Sequence, residues 1–188
     1  MKKSLKALSL LLLVSACLFF PLQLQSQPLN IANKFIGLKE SGNNRGFWID
    51  KFNYTVGNKY GSAWCMAFVY YCINETYKPN PLKRTGSVSN QLKYANCIGS
   101  GLQVIKTSLI GNTKLLPNDI FCIKHGNTSE NDIGKLWLGH TGFIKLDLGK
   151  TVQTVEGNTN KAGSREGQFV LDKYRDKIQF LAVIRIKI

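Results

Sequence analysis

A chain of 188 residues with a formal net charge of +14 can form one domain with a real core and is too short for two ordinary ones. Such a surplus of cations suggests an anionic partner, although a merely solvated basic surface fits it equally well. The basic residues are scattered, with no run longer than Lys83-Arg84, and no Arg-rich or RNP-like motif appears, which argues against a nucleic-acid reader.

Met1-Lys2-Lys3 is a cationic start, Leu5 to Phe20 is almost wholly apolar, and Pro21 and the polar run Gln23 to Gln27 follow. This is the layout of a signal peptide over residues 1–26, too short and wrongly flanked for a permanent membrane span. It predicts an exported protein, periplasmic or extracellular. Lys2, Lys3 and Lys6 account for three of the positive charges, leaving +11 on the mature chain. Two cleavage sites compete. Val14-Ser15-Ala16-Cys17 resembles a lipobox, which would anchor a lipoprotein through Cys17. The apolar run continues through Leu18-Phe19-Phe20, however, and a cut near Ser26 giving a soluble protein is preferred. No other segment is long and apolar enough to cross a bilayer.

The remainder, 28–188, reads as one domain without repeats or linkers. Asn30 can cap a helix through Ile36, with Ala32, Phe35 and Ile36 on one face. A turn-rich stretch, Glu40-Ser41-Gly42-Asn43-Asn44, follows. Ser62 to Ile73 is apolar almost all round and predicts a buried central helix capped by Ser62. Ser87 or Ser89 can start another helix, through Leu92 and Tyr94. The period then changes to two. Ile120 to Ile123 follows a turn at Leu116-Pro117-Asn118-Asp119. His140 to Leu146 and Thr151 to Glu156 form a hairpin about Asp147-Leu148-Gly149-Lys150. Gln179 to Ile188 is the last strand. Helices first and antiparallel strands afterwards predict an α+β domain, its central helix packed on the sheet.

Apart from Cys17 the cysteines are Cys65, Cys72, Cys97 and Cys122. An exported chain can form disulfides. If Cys65 stays free, at most one bridge joins two of the other three, and Cys72 and Cys122 read best as buried, inert thiols. Cys65 falls in the first turn of the central helix, where free backbone N–H groups and the helix dipole favour negative charge. A thiol attacks as thiolate and needs a base nearby. His140 begins a strand, whereas His125 runs into the loop Gly126-Asn127-Thr128-Ser129, so His140 is the preferred base. Glu156, carried by the strand hairpinned to that of His140, stands toward the same end of the sheet and can fix its tautomer. Asn158 can assist or replace it. Tyr60, Trp64 and Trp137 are candidates for a substrate groove. Glu40, Asn43 and Asn44 either meet a substrate amine or tie down a turn. A metal reading rests on one short pair, Cys122-Ile123-Lys124-His125, with His140, and is disfavoured.

Read in order, these segments resemble the CHAP family (cysteine, histidine-dependent amidohydrolases and peptidases), relatives of the NlpC-type cell-wall peptidases. The nucleophile segment is Ala63-Trp64-Cys65-Met66-Ala67-Phe68-Val69, the histidine strand Gly139-His140-Thr141-Gly142-Phe143-Ile144, and the acid segment Thr154-Val155-Glu156-Gly157-Asn158-Thr159-Asn160. Glu40 to Gly46 resembles the asparagine-rich lead-in. The family's Pro-Gly-Asp turn is Pro117-Asn118-Asp119 here, a mild departure because Asn tolerates left-handed backbone.

The resemblance, spanning 30–188, implies a papain-like/NlpC-like fold and a cofactor-free, metal-free cysteine hydrolase. It would cleave peptidoglycan amides, as an N-acetylmuramoyl-L-alanine amidase or a stem-peptide endopeptidase. Cys65 would be the nucleophile, His140 the base and Glu156, with Asn158, the orienting group. The implied partners are peptidoglycan peptides and an inhibitor or immunity protein, not nucleic acid. A catalytically inactive peptidoglycan-binding module on the same fold is the competing class, and the complete Cys-His-Glu set argues against it.

Overall fold

The computed structural model describes residues 27–161 and 167–187. The leader, with Cys17, and Ile188 of the predicted last strand lie outside the described residues. Four helices come first: α1 (Pro28–Asn33), α2 (Phe47–Val56), α3 (Cys65–Thr76) and α4 (Val88–Ala95). After them come β1 (Leu102–Lys106), a short α5 (Thr107–Ile110), β2 (Ile120–Lys124), β3 (Gly139–Asp147), β4 (Thr151–Thr159), β5 (Phe169–Asp176) and β6 (Ala182–Ile186).

Three helix starts test the capping arguments. α1 begins at Pro28 rather than after Asn30, because the fixed φ of proline suits the first helical position and its missing N–H costs nothing there. α3 begins at Cys65 itself, with Trp64 at the cap position and no side-chain cap bond. Ser62 is held in the preceding loop, where its carbonyl accepts from Asn53 Nδ2 at 3.0 Å. Ser87 does cap α4, accepting from the Asn90 N–H at 3.2 Å.

α3 buries every residue from Cys65 to Ile73. At roughly 1.5–3 kcal/mol for each large apolar side chain removed from water, it is the centre of the core. α1 and α2 pack against it, and its other side lies on β3 and β4. The sheet has the order β1-β6-β2-β3-β4-β5, with antiparallel neighbours. Successive residues of a strand point to opposite faces, and both faces are apolar here. Ile120, Cys122, Phe143, Val155 and Ile184 join the helices in one cluster. Phe121, Ile144, Val152 and Val183 form a second cluster with Ile110 of α5 and Phe180. Among the described residues no helix is long and apolar enough to cross a membrane.

Two turns set the frame of the site. Asn118 takes the left-handed conformation (φ 74°) expected of it, and its Oδ1 accepts from the Leu29 N–H at 2.9 Å, tying α1 to the turn before β2. The hairpin between β3 and β4 closes on Gly149 (φ 94°) with Leu148 N–H donating to Thr151 O. It fixes the register that brings His140 and Glu156 together.

Candidate active site

Cys65 occupies the first residue of α3 and is buried. At that position its own N–H and those that follow have no intrahelical partner, and the helix dipole is most positive. The residue before it, Trp64, has no exposed surface and donates its indole N–H to Glu40 Oε2 at 3.2 Å. Glu40 is itself buried, its backbone N–H donating to Gln168 O beside β5. Trp64, a groove candidate, and Glu40, read as meeting a substrate amine or tying down a turn, are thus bound to each other, Trp64 next to the nucleophile in the chain.

The imidazole of His140 projects from the start of β3. Phe143 pairs with Val155, which sets Glu156 beside Gly142, and alternation then puts Glu156 and His140 on one face. His140 Nε2 lies 2.9 Å from Glu156 Oε2, with both side chains buried. Gly142 makes room for this contact: a methyl group there would stand 3.0 Å from Glu156 Cγ and 2.6 Å from Val155 O. The carboxylate has further partners. Thr154 Oγ1 donates to Oε1 at 2.7 Å, and Arg175 on β5 donates through Nε to Oε1 at 2.8 Å and through Nη2 to Oε2 at 2.7 Å.

Burial disfavours a charged His140, but the neighbouring Cys65 thiol and then Glu156 outweigh it and push the imidazole up to about 9. His140 Nδ1 is buried and makes no hydrogen bond of its own. The Cys65 sulfur is among the groups that act on the ring, and catalytic pairs are often loosely aligned before substrate binds. For Glu156, burial works against ionisation, yet the Arg175 guanidinium and then His140 hold the carboxyl well below the usual range.

These shifts make stability depend on pH in opposite senses. His140 holds its proton more tightly when folded, so its contribution is complete below its ordinary value of 6.5 and is lost as pH rises through about 9. Glu156 contributes fully above its ordinary value of 4.5 and loses that contribution as the medium acidifies. Thermal stability is therefore expected to be greatest between about pH 4.5 and 6.5 and to decline toward pH 9. A pH series of Tm checks this, and His140→Gln should flatten the alkaline side. A wild-type Tm that climbs from pH 7 to 9 would contradict the assignment.

The other candidates are placed as follows. Asn158 is buried with a left-handed backbone (φ 55°) where the β4–β5 register shifts, and its Oδ1 has no partner. Glu156, not Asn158, holds His140. Asn43 and Asn44 are left-handed (φ 44° and 58°), and Asn44 Nδ2 donates to Gly61 O at 3.3 Å, linking the turn to the loop before Cys65. Tyr60 is exposed, with the Arg45 guanidinium 4.8 Å over its ring. Trp137 is half-buried, donating to Asp132 O, and its ring would meet any side chain placed at Gly139, next to His140. His125 is exposed beyond β2. Cys65, Cys72, Cys97 and Cys122 are all free thiols, Cys97 alone among them exposed. Among the described residues no group of three or more His, Cys, Asp or Glu side chains gathers as a metal site.

Arg175 and Thr154 escaped the sequence reading. A signal existed for the threonine, two residues before Glu156 and so on its face of the strand. Arg175 lies in a segment with too many polar residues to declare a strand.

A family model for the CHAP domain matches residues 38–158. No curated protein matches the chain in sequence. Among solved structures, the wild-type endolysin LysIME-EF1 aligns at a TM-score of 0.52 and 17% identity, over 86% of this chain and 63% of that one. Ly7917 aligns at 0.46 and 15%, over 86% and 61%. The aligned part is less than two thirds of either of those chains, and at 17% identity the likeness to LysIME-EF1 is one of fold, the α+β arrangement. The family match takes in more than half of the chain, including the segments that carry Cys65, His140 and Glu156, and on that ground the chain belongs to the CHAP family.

Proposed function

We propose that this protein is an exported cysteine hydrolase that cleaves amide bonds of peptidoglycan, as an N-acetylmuramoyl-L-alanine amidase or a stem-peptide endopeptidase. The observation that carries the reading is the buried set of Cys65 at a helix start, His140 raised to about 9, and Glu156 at 2.9 Å from the imidazole. The family match supports it. So do the net charge of +11 left once the three leader lysines are removed from +14, suited to an acidic wall polymer, and a leader with the layout of a signal peptide.

An ionised carboxylate only accepts hydrogen bonds, so Nε2 carries a hydrogen and Nδ1 is left for the sulfur. His140 takes the thiol proton at Nδ1, or holds an existing thiolate–imidazolium pair, and the nucleophile is the thiolate. The Cys65 sulfur attacks the amide carbonyl. Backbone N–H groups at the start of α3, that of Cys65 included, receive the charge developing on oxygen. Nδ1–H then passes to the leaving nitrogen, the C–N bond breaks, and the acyl group remains on sulfur as a thioester. Water, deprotonated by His140, releases the acyl group as a carboxylic acid.

Digestion of purified sacculi, with mass spectrometry of the soluble fragments, tests the proposal. Peptide-free glycan with released, intact stem peptides indicates the amidase, and shortened stems with new termini the endopeptidase. Sacculi left intact, together with a Cys65 that iodoacetamide does not modify at neutral pH, would replace it with a wall-binding module.

A further inference from the structure

Glu156 has more partners than an orienting carboxylate requires. Oε1 accepts from Thr154 Oγ1 and Arg175 Nε, and Oε2 accepts from His140 Nε2 and Arg175 Nη2. With both in-plane positions of each oxygen filled, the carboxylate cannot turn or accept a proton without breaking a bond. Arg175 sits opposite Val152 on β5 with its side chain only 10% exposed. Its two N–H groups meet the two oxygens side by side, the fork geometry that a lysine cannot reproduce.

We infer that Arg175 is a positioning residue, which fixes Glu156 toward His140 and neutralises its charge so that the imidazolium takes its counter-charge from the Cys65 sulfur. The argument is one of charge balance and rests on the cysteine hydrolase reading. Without Arg175, the Glu156 carboxylate and a protonated His140 would form a neutral pair, and the thiol could keep its proton. With Arg175 permanently charged, the carboxylate is already matched. A protonated His140 is then compensated only if the sulfur is ionised, and in the low dielectric of a buried site that coupling is strong. The arginine thus makes the two protons of Cys65 and His140 move together.

Other ionisable groups surround the cluster. On β5, Lys173 has its pKa lowered by burial and by Arg175. On β2, Cys122 is held up by burial and by Cys65. Lys124 and His125 line a cavity of about 300 Å³ with Arg175, and Lys124 is paired with Asp132. The four bonds of Glu156 come from His140, Thr154 and Arg175.

The test is the pH dependence of Cys65 alkylation by iodoacetamide, which needs no knowledge of the substrate. In Arg175→Met the rate at pH 6.5 is expected to fall at least about tenfold, with the midpoint of the profile displaced to higher pH by about one unit or more. Arg175→Lys should largely restore the profile, because charge is kept, yet reach no more than about a tenth of wild-type kcat on walls with KM little changed, because the fork is lost. A folded Arg175→Met protein with the wild-type profile would overturn the inference. Should that variant not fold, NMR of the wild type decides: the Cys65 β-carbon and the His140 ring are expected to titrate together, and separate titrations would overturn it. Intact sacculi with a displaced profile would instead sink the substrate assignment and leave the role of Arg175 standing.

Discussion

Cys65→Ala is expected to lower wall solubilisation by at least roughly three orders of magnitude, to the background of the assay, with the fold preserved. No other described group can take over. Cys72 and Cys122 are buried thiols whose pKa burial raises well above the ordinary value, and Cys97 lies at the far end of α4, donating to Lys93 O. The stability change should stay near 1 kcal/mol, because only one sulfur atom leaves a site that makes no cap bond of its own. Comparison of lysis rates with far-UV circular dichroism and Tm separates the two effects. Cys97→Ala, made alongside, should retain full activity. Equal lysis by Cys65→Ala and wild type would end the nucleophile assignment.

The residues that meet at the site were legible where local chemistry acts alone. An apolar run from Ala63 to Ile73 can only be a buried helix, and alternation on either side of Asp147-Leu148-Gly149-Lys150 fixes a hairpin. From those two facts follow the places of Cys65, His140 and Glu156. What could not be read depends on the rest of the fold. α2 starts at Phe47, with Gly46 at the cap position and no side-chain cap bond, so nothing marks it against the turn before it. β5 carries Lys173, Tyr174, Arg175 and Asp176 in succession, a polar string that becomes a strand because β4 offers a free edge. Arg175 is buried only because it finds Glu156, nineteen residues earlier. Trp64 misled for a related reason. An aromatic residue beside a nucleophile can wall a groove or be buried, and only the buried Glu40 carboxylate, reached by indole N–H at 3.2 Å, decides for burial.

The largest combined effect on stability and rate is expected at Glu156. Glu156→Gln preserves shape but removes the charge, and the side chain is fully buried among cationic partners. Removing one member of a buried ion network leaves the others unpaired, at a cost of about 3–5 kcal/mol, or on the order of 10 °C in Tm for a domain of this size. The amide also carries two N–H donors where Arg175, Thr154 and His140 all require acceptors, so at least one bond is replaced by a donor–donor clash. For His140 the consequence is chemical. Deprived of its acceptor at Nε2, the neutral ring is free to place its hydrogen on Nδ1, the nitrogen required by the sulfur, and the imidazolium loses support. Activity should therefore fall by roughly two to four orders of magnitude, and the decline of stability toward pH 9 should become shallower than in the wild type. Glu156→Asp keeps the charge but draws the carboxylate back by one methylene, so it should recover part of the stability and little of the rate. A Gln variant with near wild-type Tm, lysis rate and pH profile would reduce Glu156 to a bystander and leave His140 to be held by something else.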